Sequence, residues 1–246
     1  MNRFIRLIQS GTFVGTDYSQ QVLMTRVGEK FDAAVFSYLI VGGPEVVLVD
    51  TGYDADTGIS LSYGQFPSGD PKEKLLDGLA DAGLRPEDVQ WVINTHLHFD
   101  HVANNDFFPK ARFVVRRREL MEAAAPLYNA AYYRPHIARF VNDYWDRLVL
   151  IDEDCEFLPG IRLVWTGAHS VGHQAVYVQT SLGTVIIAGD VLNVYENLQT
   201  RSPNIINAHE GVRATERFKR EGDIILPAHD PEVIRRHGYW IPGRPS

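Results

Sequence analysis

The sequence has a single cysteine and no apolar run of the length that a membrane span requires. Cys155 alone excludes an internal disulfide framework and is typical of a protein from a reducing compartment. The first residues are largely apolar but are interrupted by Arg6 and Gln9, so no signal peptide is predicted. These absences lead us to expect a cytoplasmic protein with no membrane partner.

Basic runs are also scarce. The 246 residues carry a formal net charge of −7, and Arg116-Arg117-Arg118 is a short exception that we interpret as a solvated face. An acidic chain without a basic stripe is a poor candidate for binding nucleic acid. Hydrophobic residues make up 45% of the chain, which is enough for a core of ordinary size. We therefore expect one domain, residues 1–246.

Apolar runs bounded by turn residues predict many short strands. Two pairs of strands are expected to form hairpins, 35–41 with 45–50 and 175–180 with 184–188. Further strands are predicted at 91–94, 112–115, 157–165 (with a turn in its middle) and 223–226, and helices at 72–82, 118–125 and 210–220. Two strand-rich halves, each followed by helix, predict two sheets packed face to face with helices outside, which is an α+β fold.

Residues 126–148 interrupt this pattern because they are helical in composition and rich in aromatic side chains. Together with the helix before them they form a helical, aromatic-rich insertion at about 117–148. An amphipathic helical pair covering a sheet and an aromatic pocket wall both fit this composition. A dimer face fits as well, so the sequence leaves both a monomer and a homodimer open.

The donor side chains are most concentrated at residues 95–101, which read THLHFDH and follow a predicted strand. Imidazole and carboxylate groups are donors that zinc and similar divalent ions prefer. His96 and His98 alternate, so they would point to the same side of an extended chain. Asp100 and His101 need a turn, which would direct them to a second point. The motif therefore predicts two neighbouring metal ions.

More donor side chains follow other predicted strands: Asp50, His169, Asp190 and His229. Functional groups collect at strand ends, and strands that lie side by side bring their ends to one rim. Each of these residues is a weak signal by itself. Their expected convergence on one rim, beside the 95–101 motif, is what predicts a site.

This set of donors resembles the metallo-β-lactamase superfamily of metal-dependent hydrolases. The resemblance is carried by His96-x-His98-x-Asp100-His101, then His169, Asp190 and His229, in the family's order. Within the superfamily, segments 5–11 and 228–232 are similar to the N-acyl-homoserine lactonase branch. The resemblance implies a four-layer αββα sandwich of two mixed sheets, with the site at one edge between them.

The resemblance also implies a role for each donor. One divalent ion would be held by His96, His98 and His169, the other by Asp100, His101 and His229, and Asp190 would bridge the two. Asp50 matches an acid that orients a ligand histidine through its other ring nitrogen, and His173 matches a position that supports the site. Nitrogen and oxygen ligands suit zinc, and also manganese, iron or cobalt.

The activity implied is hydrolysis of a small-molecule carbonyl substrate. A hydroxide that bridges two metal ions would attack the carbonyl of a lactone, such as an N-acyl-homoserine lactone, and open the ring. Asp100 or Asp190 would act as a catalytic residue by carrying the proton. Hydrolysis of a cyclic amide or imide, a thioester or a β-lactam at the same dinuclear site is the alternative.

Other members of the superfamily fit less well. The chain lacks the Gly-Gly that follows the motif in chains like glyoxalase II, and the glutamate that flavodiiron proteins carry at the His98 position. The negative net charge of the chain also argues against a nuclease.

One position departs from the lactonases that the chain resembles. They carry a tyrosine three residues after the bridging aspartate, where this chain has Asn193, with Tyr195 two residues further on. Either side chain could face the substrate, so both are candidate catalytic residues. The histidines that match no motif are expected at structural or surface positions; they are His136, His209 and His237.

Overall fold

The computed structural model describes residues 3–54, 66–67, 71–127, 131–202 and 204–245. The strands in these ranges are β1 (Phe4–Asp17), β2 (Lys30–Val41), β3 (Val47–Val49), β4 (Phe66–Pro67), β5 (Trp91–Ile93), β6 (Arg112–Arg116), β7 (Leu148–Ile151), β8 (Cys155–Leu158), β9 (Ile161–Trp165), β10 (Gln174–Thr180), β11 (Gly183–Ile187), β12 (Ile224–Leu226) and β13 (Trp240–Ile241). The helices are α1 (Pro71–Asp81), α2 (Phe99–Val102), α3 (Arg117–Ala124), α4 (Arg134–Asn142), α5 (Ala208–Glu221) and α6 (Glu232–His237).

The strands form two mixed sheets. The first has the order β13-β1-β2-β3-β5-β6-β7, with β4 paired to β1, and the second has the order β12-β11-β10-β9-β8. The strands β3, β5, β6 and β7 run parallel to one another, and so do β11 and β12. Parallel neighbours end at the same edge of a sheet, so the carboxyl ends of β3 and β5 lie side by side, as do those of β11 and β12.

The residues of β3 illustrate how the layers arise. Val47 and Val49 lie in the core between the two sheets, whereas Leu48 lies in the core between the first sheet and its helices. Side chains alternate along a strand, so a strand that is buried on both faces is apolar throughout. Leu79 of α1 packs in the same outer core as Leu48, and Phe218 of α5 packs on the outer face of the second sheet. The order of layers is therefore αββα, which confirms the predicted fold class.

Both predicted hairpins are present, because β2 pairs with β3 and β10 pairs with β11 in antiparallel register. The sequence did not predict β1, which spans 14 residues. Its register against β2 shifts between Gln9 and Gly11 and again between Phe13 and Thr16. A bulge adds a residue to one strand and breaks the alternation of buried and exposed side chains, which is the signal that sequence analysis uses.

The helical, aromatic-rich insertion at about 117–148 contributes α3 and α4, which lie on the outer face of the first sheet. The rings of Phe140 and Tyr144 pack against Phe113 of β6, with ring centroids 6.3 Å and 4.2 Å away. These two residues therefore cover the sheet, which is one of the interpretations that the composition of this segment allowed. Tyr128 lies outside the described residues. Within the described ranges, every helix is too short or too polar to cross a membrane.

Candidate metal centre

The donors of residues 95–101 separate into two directions at the start of a helix. His96 lies in the loop that follows β5, and His98 is the residue immediately before α2. Asp100 and His101 lie in the first turn of α2. This turn is the change of direction that the spacing predicted between His98 and Asp100.

The seven donors form two buried groups. We call His96, His98 and His169 the three-histidine group, and Asp100, His101, Asp190 and His229 the mixed group. Within each group, one potential ligand atom from each residue lies within 4.8 Å of all the others. The structure thus brings together, on one rim, donors that are up to 133 positions apart in the sequence, from His96 to His229.

Asp190 lies between the two groups. Its Oδ1 is 3.1 Å from Nε2 of His101, and its Oδ2 is 3.2 Å from Nε2 of His229. The same Oδ2 is 3.6 Å from Nε2 of His169, which belongs to the three-histidine group. One carboxylate therefore contacts members of both groups, which is the placement that a bridging ligand requires.

Two of the histidines are oriented by backbone carbonyl groups. Nδ1 of His229 donates to the carbonyl oxygen of Ala34 at 2.8 Å, and Nδ1 of His169 donates to that of Asn204 at 2.9 Å. A carbonyl oxygen can only accept, so the proton of each neutral ring is on Nδ1. The lone pair on Nε2 then points into the centre, as metal ligation requires.

Two others are oriented through Asp50. Its carboxylate accepts from Nδ1 of His101 at 2.8 Å, and from the backbone N–H and the hydroxyl of Thr95 at 2.8 and 2.7 Å. The Thr95 oxygen in turn lies 3.1 Å from Nδ1 of His96. Asp50 has a left-handed backbone (φ 57°), a conformation that Asp and Asn tolerate better than most residues. The contact with His101 is the one that the resemblance implied for Asp50.

The atoms that face the centre fit divalent ions. Among the described residues, the buried Nε2 of His96 has no hydrogen-bond partner, and Nε2 of His101 lies 3.1 Å from Oδ1 of Asp190 without a hydrogen bond between them. Nδ1 of His98 and Nε2 of His169 are only 3.0 Å apart. Two nitrogens that bind one tetrahedral zinc ion at about 2.0–2.1 Å are separated by about 3.3 Å. Buried lone pairs without partners cost free energy unless a cation binds them, and nitrogen and carboxylate oxygen are suitable ligands for zinc.

The electrostatics of the site differ between the two donor groups. Burial lowers the pKa of His96 and His98 well below the usual value, and the neighbouring imidazoles lower it further. Burial would raise the pKa of Asp190, but His229, His101 and His169 together hold it well below its ordinary value. The three-histidine group therefore presents neutral imidazoles beside the ionised Asp190, which favours binding of a cation. In the mixed group, burial would lower the pKa of His101 and His229, but Asp190 and Asp100 together hold it above the usual value.

His173 supports Asp190 and belongs to neither group of donors. Its Nε2 accepts the backbone N–H of Asp190 at 3.1 Å, and its Nδ1 lies 2.6 Å from the hydroxyl oxygen of Thr166. Gly189 makes this contact possible, because its φ is +56° and a Cβ there would lie 2.5 Å from Nε2 of His173. Through these contacts His173 holds the backbone at Asp190 and the hydroxyl of Thr166.

The two candidates for contact with the substrate have different surroundings. Asn193 is fully buried, its carbonyl oxygen accepts the N–H of His229, and neither atom of its side-chain amide has a hydrogen-bond partner in the described structure. The hydroxyl of Tyr195 lies 3.1 Å from Nε2 of His237, and the guanidinium of Arg236 lies over the Tyr195 ring. The amide of Asn193 is therefore unengaged, whereas the Tyr195 hydroxyl already has a partner.

Sequence analysis did not identify Glu119 of α3. Its side chain is fully buried and accepts hydrogen bonds from the loops that carry both His96–His98 and His169. Burial raises the pKa of Glu119, although the hydrogen bonds to its carboxylate oppose that rise. A single acidic residue on a helix carries no pattern that distinguishes it from a surface residue, so the sequence offered no signal.

Two of the histidines without a motif are also placed by the structure. His136 is buried with its ring against Tyr133, and burial lowers its pKa to about 4. His237 contacts Tyr195. Neither belongs to the two donor groups. Tyr132, by contrast, lies against the centre, because its ring is 4.8 Å from that of His98. One residue of the aromatic-rich segment therefore forms part of the wall of the site.

Comparison with known proteins agrees with this geometry. The family model of the metallo-beta-lactamase superfamily matches residues 32–237. The N-acyl homoserine lactonase AiiA of Bacillus thuringiensis subsp. kurstaki is 31% identical in an alignment of 219 residues that covers 83% of this chain and 84% of that protein. Metallo-beta-lactamase domain-containing protein 1 of Xenopus laevis is 27% identical in an alignment of 240 residues that covers 94% of this chain and 88% of that protein.

A solved structure has the same fold. It is an N-acyl homoserine lactone hydrolase with the product N-hexanoyl-L-homoserine bound at its catalytic metal center. The two chains are 26% identical and superpose with a TM-score of 0.80 over 96% of this chain and 97% of that one. The chain therefore belongs to the metallo-beta-lactamase superfamily, as one of its dinuclear metallo-hydrolases.

Proposed function

We propose that this metallo-hydrolase is a lactonase, and that an N-acyl-homoserine lactone is the first substrate to test. The observation that carries the proposal is the pair of adjoining donor groups that share the Asp190 carboxylate. The similarity over 83% of the chain to a relative named as an N-acyl homoserine lactonase supports the choice of substrate class.

In the proposed mechanism the three-histidine group would hold one divalent ion, and Asp100, His101 and His229 would hold the other, with Asp190 close enough to contribute to both. Bound there, such ions would supply a water molecule of lowered pKa and polarise the substrate carbonyl. The net reaction adds water across the ester: a C–O bond forms at the carbonyl carbon, the ring C–O bond breaks, and the hydroxy acid releases a proton at neutral pH.

The chain's own residues would handle the proton and the ring. Asp100 and Asp190 place carboxylate oxygens at the centre, and either can carry the proton from the water to the leaving alkoxide. The backbone carbonyl of Asn193 accepts the N–H of His229, and the side-chain amide of Asn193 has no hydrogen-bond partner among the described residues. Its N–H groups would donate to the substrate carbonyl or to the leaving oxygen. The ring of Tyr132 packs against that of His98, and its hydroxyl donates to the buried Glu119, so both would hold His98 in place.

Asn193 also gives a reason to test a second class of substrate. A side-chain amide has both donor and acceptor atoms, whereas a tyrosine hydroxyl presents one oxygen. An Asn at this position suits a ring that carries an N–H beside its carbonyl, as a cyclic amide or imide does. We therefore keep hydrolysis of a cyclic amide or imide as the second candidate function.

The experiment is a proton-release assay on protein of measured metal content. The panel holds short and long N-acyl-homoserine lactones, simple γ- and δ-lactones, an aromatic-fused lactone, a cyclic imide, a thioester and a β-lactam. We expect turnover of a lactone that is abolished by a chelator and restored by zinc or manganese. About two metal ions per chain with turnover of the imide alone would replace the lactonase proposal with the second candidate. Metal-independent turnover would contradict both.

A further inference from the structure

Glu119 forms a compact set of hydrogen bonds at one end of the centre. Its Oε1 accepts the N–H of Leu97 at 3.0 Å and the hydroxyl of Tyr132 at 3.1 Å. Its Oε2 accepts the hydroxyl of Ser170 at 2.7 Å and the N–H of Gly172 at 2.9 Å. Each carboxylate oxygen therefore receives two donors, and the buried charge is fully hydrogen-bonded.

These donors all lie next to the three-histidine group. Leu97 separates His96 from His98, and Ser170 follows His169. Through them, one carboxylate joins two loops that are more than 70 residues apart in the sequence and that together carry the whole group.

We propose that Glu119 is a positioning residue that sets the spacing of the three-histidine group, and with it the affinity of that group for its metal ion. The proposal rests on the proposed ligand roles of the three histidines and is independent of the substrate. Glu119 itself is not among the donors of either group. It acts on the ion only through the backbone and side chains that it holds.

The arrangement requires a carboxylate. The N–H groups of Leu97 and Gly172 are bound to different oxygens of Glu119, and a backbone N–H can only donate. A glutamine has one oxygen and one NH₂ group, so in either orientation it leaves one of these two N–H groups facing another donor. The loop also lies directly on α3, because a Cβ on Gly172 would come within 2.3 Å of the backbone nitrogen of Glu119. The loop therefore has little room to adjust to a changed partner.

The test compares Glu119→Gln with Asp154→Asn. Asp154 is a matched control because its carboxylate also accepts a backbone N–H, that of Trp165, and binds arginine side chains, but it contacts no residue of either donor group. The readout is the binding of Zn²⁺ and Co²⁺ to metal-free protein, measured by chelator competition, together with the visible absorption spectrum of the Co²⁺ form. Neither measurement depends on turnover.

We expect Glu119→Gln to weaken one of the two metal equivalents by about 10–100-fold, the usual cost of removing a residue that orients metal ligands. The other equivalent should change by less than about threefold, because the mixed group has other supports. The Co²⁺ spectrum should change for one site only. The control should lose stability and bind both ions as the wild type does.

Ser170→Ala keeps the test decisive if Glu119→Gln does not fold, since it removes one hydrogen bond and no charge. It should weaken the same equivalent by about 3–10-fold, as expected for loss of one hydrogen bond. Unchanged binding of both ions in these variants would overturn the proposal, and so would equal weakening of both ions or the same loss in the control. A protein that binds metal as expected but hydrolyses no lactone would contradict the proposed function and leave this inference intact.

Discussion

The two donor groups use the same chemistry but are held by different parts of the fold. In the mixed group, His101 is oriented by Asp50 at the end of β3, and His229 by the carbonyl of Ala34 within β2. In the three-histidine group, His169 is oriented by the carbonyl of Asn204 in a loop, and the loops themselves are joined by Glu119 on a helix. The mixed group is therefore fixed mainly to the first sheet. The three-histidine group is held mainly between loops and a helix, and only His96 is also linked to Asp50, through Thr95.

This difference predicts that the two groups can be perturbed separately. The pairing of neighbouring strands fixes the position of a residue at a strand end. A loop is fixed only by its own contacts, so it responds to the loss of a single hydrogen bond. Asp190 is the exception, because it contacts both groups. Substitution of Asp190 should therefore weaken metal binding by both groups, whereas substitution of a supporting residue should act mainly on one group.

The largest effect is expected for Asp190→Asn. An amide cannot offer two anionic oxygens, so both ions lose a ligand and the charge that attracts them. We expect metal content and turnover to fall together, and turnover by more than the roughly 100-fold that removing a supporting residue costs. Metal analysis and the proton-release assay on the same sample measure both. Full activity with one ion per chain would contradict the shared-ligand mechanism.

Asp50→Asn should act mainly on the mixed group. Asn tolerates the left-handed backbone at this position, so the chain path is retained. The amide cannot accept from Nδ1 of His101 and from the N–H of Thr95 as the carboxylate does, and the affinity of the mixed group should fall by about 10–100-fold.

The matched control for Asp50→Asn is Thr95→Val, which keeps the shape of the side chain and the contact between Asp50 and His101. It removes only the hydroxyl that links Asp50 to Nδ1 of His96. It should weaken the three-histidine group by only a few-fold. Chelator competition with Co²⁺ shows which of the two metal equivalents each variant weakens. If both variants weakened binding of the same metal equivalent, the prediction that the two groups can be perturbed separately would be wrong.

The difference between the groups also explains which residues the sequence could reveal. The donors and Asp50 stand at the ends of apolar strands, and a strand end can be read from a local pattern. Glu119 and Asn204 depend on which loops meet in space, and no local pattern records that. Ala34 contacts His229 through its backbone carbonyl, a group that every residue has, so the residue type gives no signal. Among strands, β1 was missed for a related reason, since its bulges disturb the period.

Asn193→Ala tests whether the position that departs from the lactonases faces the substrate. Its amide forms no hydrogen bond to another described group, so its removal should not disturb either donor group. Loss of one hydrogen bond to the reacting carbonyl should lower kcat by about 10-fold while metal content is unchanged. Turnover numbers and metal content per chain provide the check. An unchanged kcat would exclude Asn193 from contact with the substrate and turn attention to Tyr195.

The smallest effect is expected for Tyr195→Phe. The hydroxyl of Tyr195 binds His237 and the ring packs under Arg236, so this residue is engaged outside both donor groups. Removing the hydroxyl breaks one half-buried hydrogen bond, which should lower the free energy of unfolding by about 1 kcal/mol and leave kcat, KM and metal content close to those of the wild type. Thermal unfolding and steady-state kinetics measure these quantities side by side. A large fall in kcat with both ions still bound would mean that the Tyr195 hydroxyl leaves His237 during turnover to reach the substrate. The segment that follows Asp190 would then have to move during turnover. That part of the site would not be as fixed as the two donor groups are.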